Sequence, residues 1–437
     1  MLLAIGLALV CAPNTFAAGE TTHAWMAERA VDYLPEGDLK TLLDPHRLEV
    51  MSGAGYPDTG YWVDGYVPDS HSHDFGEESH WEKFINAYVA HVREKDCGPD
   101  LADPLGPCAG LVAHLMGSAA HGMGDEVWDW LFEPRITDNG EDAGKNFFAP
   151  GRPGAPLDGN PLDDVSSSPE YAMDEVAIWA HNRWVSPATA PPPVADLVEV
   201  YERRGLHVTP EHILAGHAAS FAAMAAERAV APEEGPRVQE DMPWSSANFV
   251  TAPGGVNFSA AAIAGYYEAL WRKLTEPEHP SPEVVAIYPA AGADDVPVQW
   301  QPAKTSPGTG SGGGDLRIWA ALGHAVDPAS VTPETFKLLD STGTPVAPLP
   351  GHPRPGPWGS DGGTHSLLFY PIGDLEPCSE YTAVLTTGLE DLSGAPLASE
   401  HRWTFRTAPA RPRRGPPQDR GAAGRRGRAP GAPCRAA

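Results

Sequence analysis

The sequence predicts a multidomain chain, an all-α domain followed by a small all-β sandwich, and three observations carry that reading. Apolar residues recur at helical spacing along most of the stretch up to Leu274. A Pro- and Glu-rich segment, TEPEHPSP at 275–282, then interrupts the pattern. Beyond it come short β-rich runs, VVAIYP, LRIWAAL, FKLLD, SLLFYP, YTAVLTT and HRWTFRT, spaced by Gly, Pro and Asp turns. With 437 residues, the chain is long enough for two or three cores. The boundaries read as a signal segment at 1–18, a helical domain at 19–276, a linker at 277–282, a sandwich at 283–407 and a tail at 408–437.

The elements follow in order. LLAIGLALV at 2–10 with TFAAGE behind it reads as a secretory signal cleaved near Ala17 or Ala18, although its basic start is missing. Thr21 to Leu34 reads as a helix capped by Thr21 or Thr22, with Met26, Ala27, Ala30, Val31 and Leu34 as its apolar stripe. His23 lies in its first turn. Asp58 follows Pro57 in a Gly-rich turn, where Asp is ordinary turn chemistry. His71 and His73 read as solvated loop residues. Trp81, Phe84, Ile85, Tyr88, Val89 and Val92 then mark a helix with His80 at its start.

Gly110 to Leu131 reads as one long helix, and it organises the rest. His121, Asp125 and Asp129 follow at i, i+4 and i+8, with His114 two turns earlier. At about 100° per residue these side chains share one face. A carboxylate among Leu115, Met123, Val127 and Trp128 costs several kcal/mol unless it finds a partner, and a divalent cation supplies one. The alternative is a solvent-facing polar edge. After a Gly/Pro/Asp/Ser-rich loop at 135–168, Pro169 to His181 returns to helix. There Glu170 and Asp174 repel at i, i+4 unless a cation lies between them. Further helices are expected at Val194 to Arg204, Glu211 to Val230 and Ser259 to Leu274. The Arg-, Pro- and Gly-rich tail from Pro409 has the composition of a disordered segment.

The formal charge of −28 disfavours stable binding to nucleic acid through a basic patch. No run after the first reaches the length needed to span a bilayer. Cys97 and Cys108 bracket a turn-rich loop that an oxidising compartment could close; at most one disulfide is expected. Tyr56, Trp62 and Tyr66 fit either a cleft wall or the core, with the core favoured.

TTHAWMAERAVDYL, GAGYPD, HDFGEESHWEKFINAYVAHVRE and LVAHLMGSAAHGMGDEVWD, in this order, resemble the zinc-dependent phospholipase C superfamily. The nearer likeness is to the catalytic domain of glycosylphosphatidylinositol-specific phospholipases D, continuing through EYAMDEVAIWA and PVADLVEVYERRGLHVTPEHIL over most of 19–276. Residues 283–407 resemble a bacterial Ig-like domain, expected to serve as a spacer or adhesion unit. The first resemblance implies a helical cleft holding two to three Zn2+ ions. His23 would ligate one. Asp58, His80, His121 and Asp125 would hold a second, with Asp125 bridging. The third would fall to Asp129, Glu170 and Asp174, where carboxylates replace the family's two His; such a site suits Ca2+, Mg2+ or Mn2+, or stays empty. Asp58 is the expected catalytic residue, orienting or deprotonating the attacking water.

The implied protein is a secreted, extracellular or periplasmic phosphoric diester hydrolase. It would act on phospholipid or glycolipid headgroups with transient membrane-surface contact. The alternatives are a single-strand-type zinc nuclease and a non-catalytic metal-binding or adhesion protein with an eroded third site.

Overall fold

A computed structural model describes residues 19–64, 75–98, 101–139, 141, 167–184, 190–276, 280–298, 316–356 and 363–409. The signal segment, His71, His73, Tyr66, the side chains of Trp62 and Glu170, and the tail lie outside the described residues. The helical part begins with α1 (Glu20–Tyr33), α2 (Asp38–Leu43), α3 (Arg47–Gly55), α4 (Tyr61–Asp64) and α5 (Phe75–Ser79). Next come α6 (Glu82–Glu94), α7 (Ala109–Val127), α8 (Glu133–Asp138) and α9 (Ser167–His181). It ends with α10 (Val194–Arg203), α11 (Pro210–Asp241), α12 (Pro243–Asn248) and α13 (Val256–Thr275).

The stripe expected on α1 is buried, with Met26, Ala27, Ala30 and Val31 wholly enclosed. Its cap differs from expectation. The N-cap is Gly19, and the free N–H groups of Thr21 and Thr22 donate to the Asp174 carboxylate of α9 at 2.9 and 2.8 Å. That carboxylate fills the space a Cβ at residue 19 would need, 2.2 Å away. An acid at a helix N-terminus is favourable whatever its distance along the chain. Local spacing cannot reveal it.

The helix expected to run to Leu131 changes pitch instead. α7 ends at Val127, and Trp128–Phe132 forms a π-helical turn before α8. Within the turn Trp128 stacks on Phe132, their rings 4.5 Å apart, while Trp130 lies under the Arg354 guanidinium from the β-domain. α11 also departs from expectation, running past Val230 through Pro232 and Pro236 to Asp241. Packing outweighs the proline penalty there: Gly235 lies so close to Trp179 of α9 that a Cβ would meet it at 2.6 Å.

The helix α3, hidden in a Gly-rich stretch, makes the closest crossing. A Cβ on Gly53 would sit 2.2 Å from the His114 carbonyl, and one on Gly117 would sit 2.0 Å from that of Val50. Backbone therefore rests on backbone between α3 and α7.

Among the described residues, the β-domain holds two four-stranded sheets. One orders β1 (Val284–Tyr288), β3 (Ile318–Leu322), β6 (Ser366–Phe369) and β5 (Arg354–Pro355). The other orders β2 (Ala293–Val296), β8 (His401–Thr407), β7 (Glu380–Leu385) and β4 (Phe336–Leu339). Period-2 alternation splits β3 and β6 between two cores. Ile318, Ala320, Leu322, Leu367 and Phe369 fill the sandwich. Trp319, Ala321 and Leu368 belong to the core of the helical domain. The sandwich is thus seated on the helices rather than held off by a spacer; Phe258 of α13 meets Trp319 with ring centroids 6.0 Å apart.

Cys97 and Cys108 form the disulfide the loop allowed. Cys378 is disulfide-bonded as well, which corrects the expectation of one bridge at most. Its distance along the chain from every other cysteine concealed that pairing. No helix among the described residues is long and apolar enough to cross a membrane.

Candidate metal centre

Four elements bring five of the sequence-predicted side chains together. α1 supplies His23, a 3-10 turn at Pro57–Gly60 supplies Asp58, the two-residue link between α5 and α6 supplies His80, and α7 supplies His121 and Asp125. Asp58 Oδ1 lies 3.3 Å from His80 Nε2 and 3.5 Å from His121 Nε2. His121 Nε2 is 3.4 Å from Asp125 Oδ2, while Asp125 Oδ1 is 3.0 Å from His23 Nε2. Two overlapping groups result, Asp58/His80/His121 and His23/His121/Asp125, all buried.

These separations fit a metal-ligand shell. With zinc–ligand distances of about 2.0–2.1 Å, the edges of a tetrahedral shell are about 3.3–3.4 Å. The His80–Asp58, His121–Asp58 and His121–Asp125 separations of 3.3, 3.5 and 3.4 Å match them. Asp125 presents its two oxygens to different histidines, the arrangement a bridging carboxylate needs.

The imidazoles are aimed by backbone carbonyls. His80 Nδ1 donates to Gly76 O at 2.8 Å and His121 Nδ1 to Ala54 O at 2.6 Å, which turns each Nε2 toward the cluster, where a metal would displace any proton it carries. His23 Nδ1 and Asp58 Oδ2 are buried without a hydrogen-bond partner, and His23 Nε2 and Asp125 Oδ1, though 3.0 Å apart, face each other without forming one. Such groups are expensive unless something absent from the polypeptide satisfies them. Sequence reading missed the two carbonyls, since a backbone acceptor leaves no side-chain signal.

Burial works to raise the Asp58 pKa, but His121 and His80 hold it well below the ordinary carboxylate range. For His80, burial is outweighed by Asp58, which pushes the ring up to about 9. Burial and the nearby His23 lower His121, favouring the neutral form a metal requires.

Of the other expected ligands, Asp129 and Asp174 belong to neither group. Asp129 is buried in the π turn, where burial and then Glu133, Asp125 and Glu126 raise its carboxyl well above the usual range. Asp174 uses both oxygens to cap α1, and burial pushes it up to about 7 against those hydrogen bonds. Glu170 belongs to α9, and its side chain is outside the described residues. His114 bonds to Tyr88, their atoms 3.2 Å apart, and Tyr56 is core, bonded to Tyr201.

Fold and site together define a helical protein with a buried, paired His/Asp centre, built onto a β-sandwich. Residues 278–407 match the family of bacterial Ig-like domains. Phosphatidylinositol-glycan-specific phospholipase D of Bos taurus is 30% identical over 129 residues, covering 29% of this chain and 14% of that protein. The Homo sapiens protein of that description is 30% identical over 117 residues, 26% of this chain and 13% of its own length. The similarity thus spans about one seventh of those relatives. Among solved structures, the N-terminal part of the bacterial S-layer protein SbsC aligns over 85% of this chain and 79% of its own at 13% identity. Its TM-score of 0.21 is too low to indicate a shared fold.

Proposed function

We propose that the chain is an extracytoplasmic, zinc-dependent phosphodiesterase that hydrolyses headgroup phosphodiesters of phospholipids or glycolipids. The observation that carries this reading is the unsatisfied donor set of His23, Asp58 and Asp125, spaced with His80 and His121 as a two-ion shell. Partial similarity to an inositol-glycan phospholipase D supports the substrate class. Disulfide bonding at Cys97, Cys108 and Cys378 supports export to an oxidising compartment.

Zinc bound here would polarise a phosphoryl oxygen and lower the pKa of water towards about 7. The chain's own residues do the rest. Gly76 and Ala54 hold His80 and His121 with Nε2 aimed at the centre. Asp125 spans the two groups. Asp58 turns Oδ1 to both histidines and keeps Oδ2 unpaired, the atom placed to orient water and take its proton. Cations at the centre also explain how a chain of charge −28 accepts an anionic substrate.

The test is hydrolysis of phosphatidylinositol vesicles, bis-p-nitrophenyl phosphate and single-stranded DNA by the full chain, with and without chelator. The proposal expects vesicle hydrolysis that chelator abolishes and zinc restores, and a loss of at least about 100-fold in kcat for Asp58→Asn. Cleavage of DNA alone would make the protein a nuclease. No cleavage after addition of zinc, manganese and calcium would leave a metal-binding scaffold.

A further inference from the structure

Two buried acids beside the metal-binding residues are held by the β-domain. Glu126 follows Asp125 and is 2% exposed; Glu82 lies two residues after His80 and is 3% exposed. Glu126 Oε2 accepts from Thr364 Oγ1 at 2.7 Å and from the Ser366 N–H at 2.7 Å. The His365 N–H reaches both Glu126 oxygens, at 2.9 and 3.0 Å. Glu82 accepts from Tyr266 Oη at 2.5 Å and from Lys273 Nζ, both on α13, and lies 3.3 Å from His365 Nε2. His365 Nδ1 in turn donates to Leu322 O of β3 at 2.9 Å, which fixes the ring. Three consecutive residues leading into β6, Thr364–Ser366, therefore grip both segments that carry the centre.

Docking alone does not need this arrangement, because Trp319 and Leu368 already seal the interface with apolar surface. A carboxylate at that interface is costly without its donors. Its position explains it. Glu126 lies in the last turn of α7, just before the helix changes pitch at Trp128. A tether there fixes the rotation of α7, and with it the direction in which Asp125 points.

We propose that Glu126 is a positioning residue and the Ig-like sandwich a working part of the metal centre. Thr364–Ser366 acts as a clamp that sets α7 against the start of α6 at the separation the ions require. The inference rests on the metal reading above.

Glu126→Gln, Thr364→Val and Phe258→Ala in the full chain test it. Zinc affinity is read by competition with a chromogenic chelator, and stability from the Tm of the metal-free protein. Glu126→Gln is expected to weaken zinc about tenfold, with kcat falling and KM unchanged. Thr364→Val should weaken it less, in the same direction, and it decides the matter if Glu126→Gln does not fold. Phe258→Ala, which thins the same interface without touching the clamp, should lower Tm while leaving zinc affinity as in the wild type. If the clamp variants lose Tm but keep wild-type zinc affinity, or if Phe258→Ala weakens zinc as much for the same loss of Tm, Glu126 is only interface adhesive and the proposal is overturned. A wild-type chain that binds no zinc would instead sink the metal reading, before any variant is made.

Discussion

Gly117→Ala tests how the site is positioned. Ala is the better helix former, and in an open helix it gains about 1 kcal/mol over Gly. Gly117 is not in the open. Its new Cβ would lie 2.0 Å from Val50 O, 2.8 Å from Ala54 N and 2.9 Å from Gly53 Cα, where ordinary contact begins at 3.4 Å. All three neighbours are backbone, so α3 has to retreat from α7 by more than about 1 Å. Overpacking of this kind costs about 1–3 kcal/mol, and backbone against backbone belongs at the upper end. The net loss is about 2 kcal/mol, or about 4–8 °C in Tm for a domain of this size. The retreat also pulls Ala54 O from His121 Nδ1, now 2.6 Å away, and frees the ring to turn. Calorimetry of the metal-free chain gives the first number and zinc titration the second, with weaker zinc expected. Gly55→Ala is the control, because nothing lies within 4 Å of its Cβ position. A Gly117→Ala protein as stable as the Gly55→Ala protein would show that α3 and α7 do not touch here.

Two further predictions concern stability. Burial lowers the His365 pKa, but Glu82 and Glu126 outweigh it and hold the ring above its ordinary 6.5. The folded chain keeps a proton that the unfolded chain has lost, so this stabilisation is full below 6.5 and drains as pH rises through the folded value. Urea unfolding from pH 6 to 9 should show that decline in the wild type and a flatter profile in His365→Gln; equal slopes would contradict it. Replacing Cys97 and Cys108 by Ser opens a loop with a sequence separation of 11. Loss of its closure should lower unfolding free energy by about 3 kcal/mol, and an unchanged urea midpoint would count against the bridge.

Periodicity located most of the long helices and six of the eight described strands, because one buried face repeats at 3.6 or 2 residues; it missed β2 and β5, too short to show a pattern. It failed where the cause lay elsewhere in the chain. Asp174 reads as half of an i, i+4 acid pair on α9, yet it caps α1 at a distance of more than 150 residues. α3 has no apolar stripe to betray it; its glycines matter only because α7 lies against them. The helix expected to end at Val230 runs on through Pro232 and Pro236, and Gly235 packs there against Trp179. At the centre, His121 and Asp125 were legible from their spacing, whereas His23, Asp58 and His80 needed a resemblance to join them. Glu126 was invisible, since an acid next to a candidate ligand looks like a solvated one until the β-domain closes over it.

The central claim is that His23, Asp58, His80, His121 and Asp125 hold a pair of ions. The most direct measurement is metal content of the full chain by mass spectrometry, after saturation with zinc and exhaustive dialysis, beside His121→Ala. Two zinc ions per chain in the wild type, falling to one or none with an unchanged circular dichroism spectrum in the variant, is the predicted result. A wild type that retains no zinc, or a variant that retains as much as the wild type, would contradict the account.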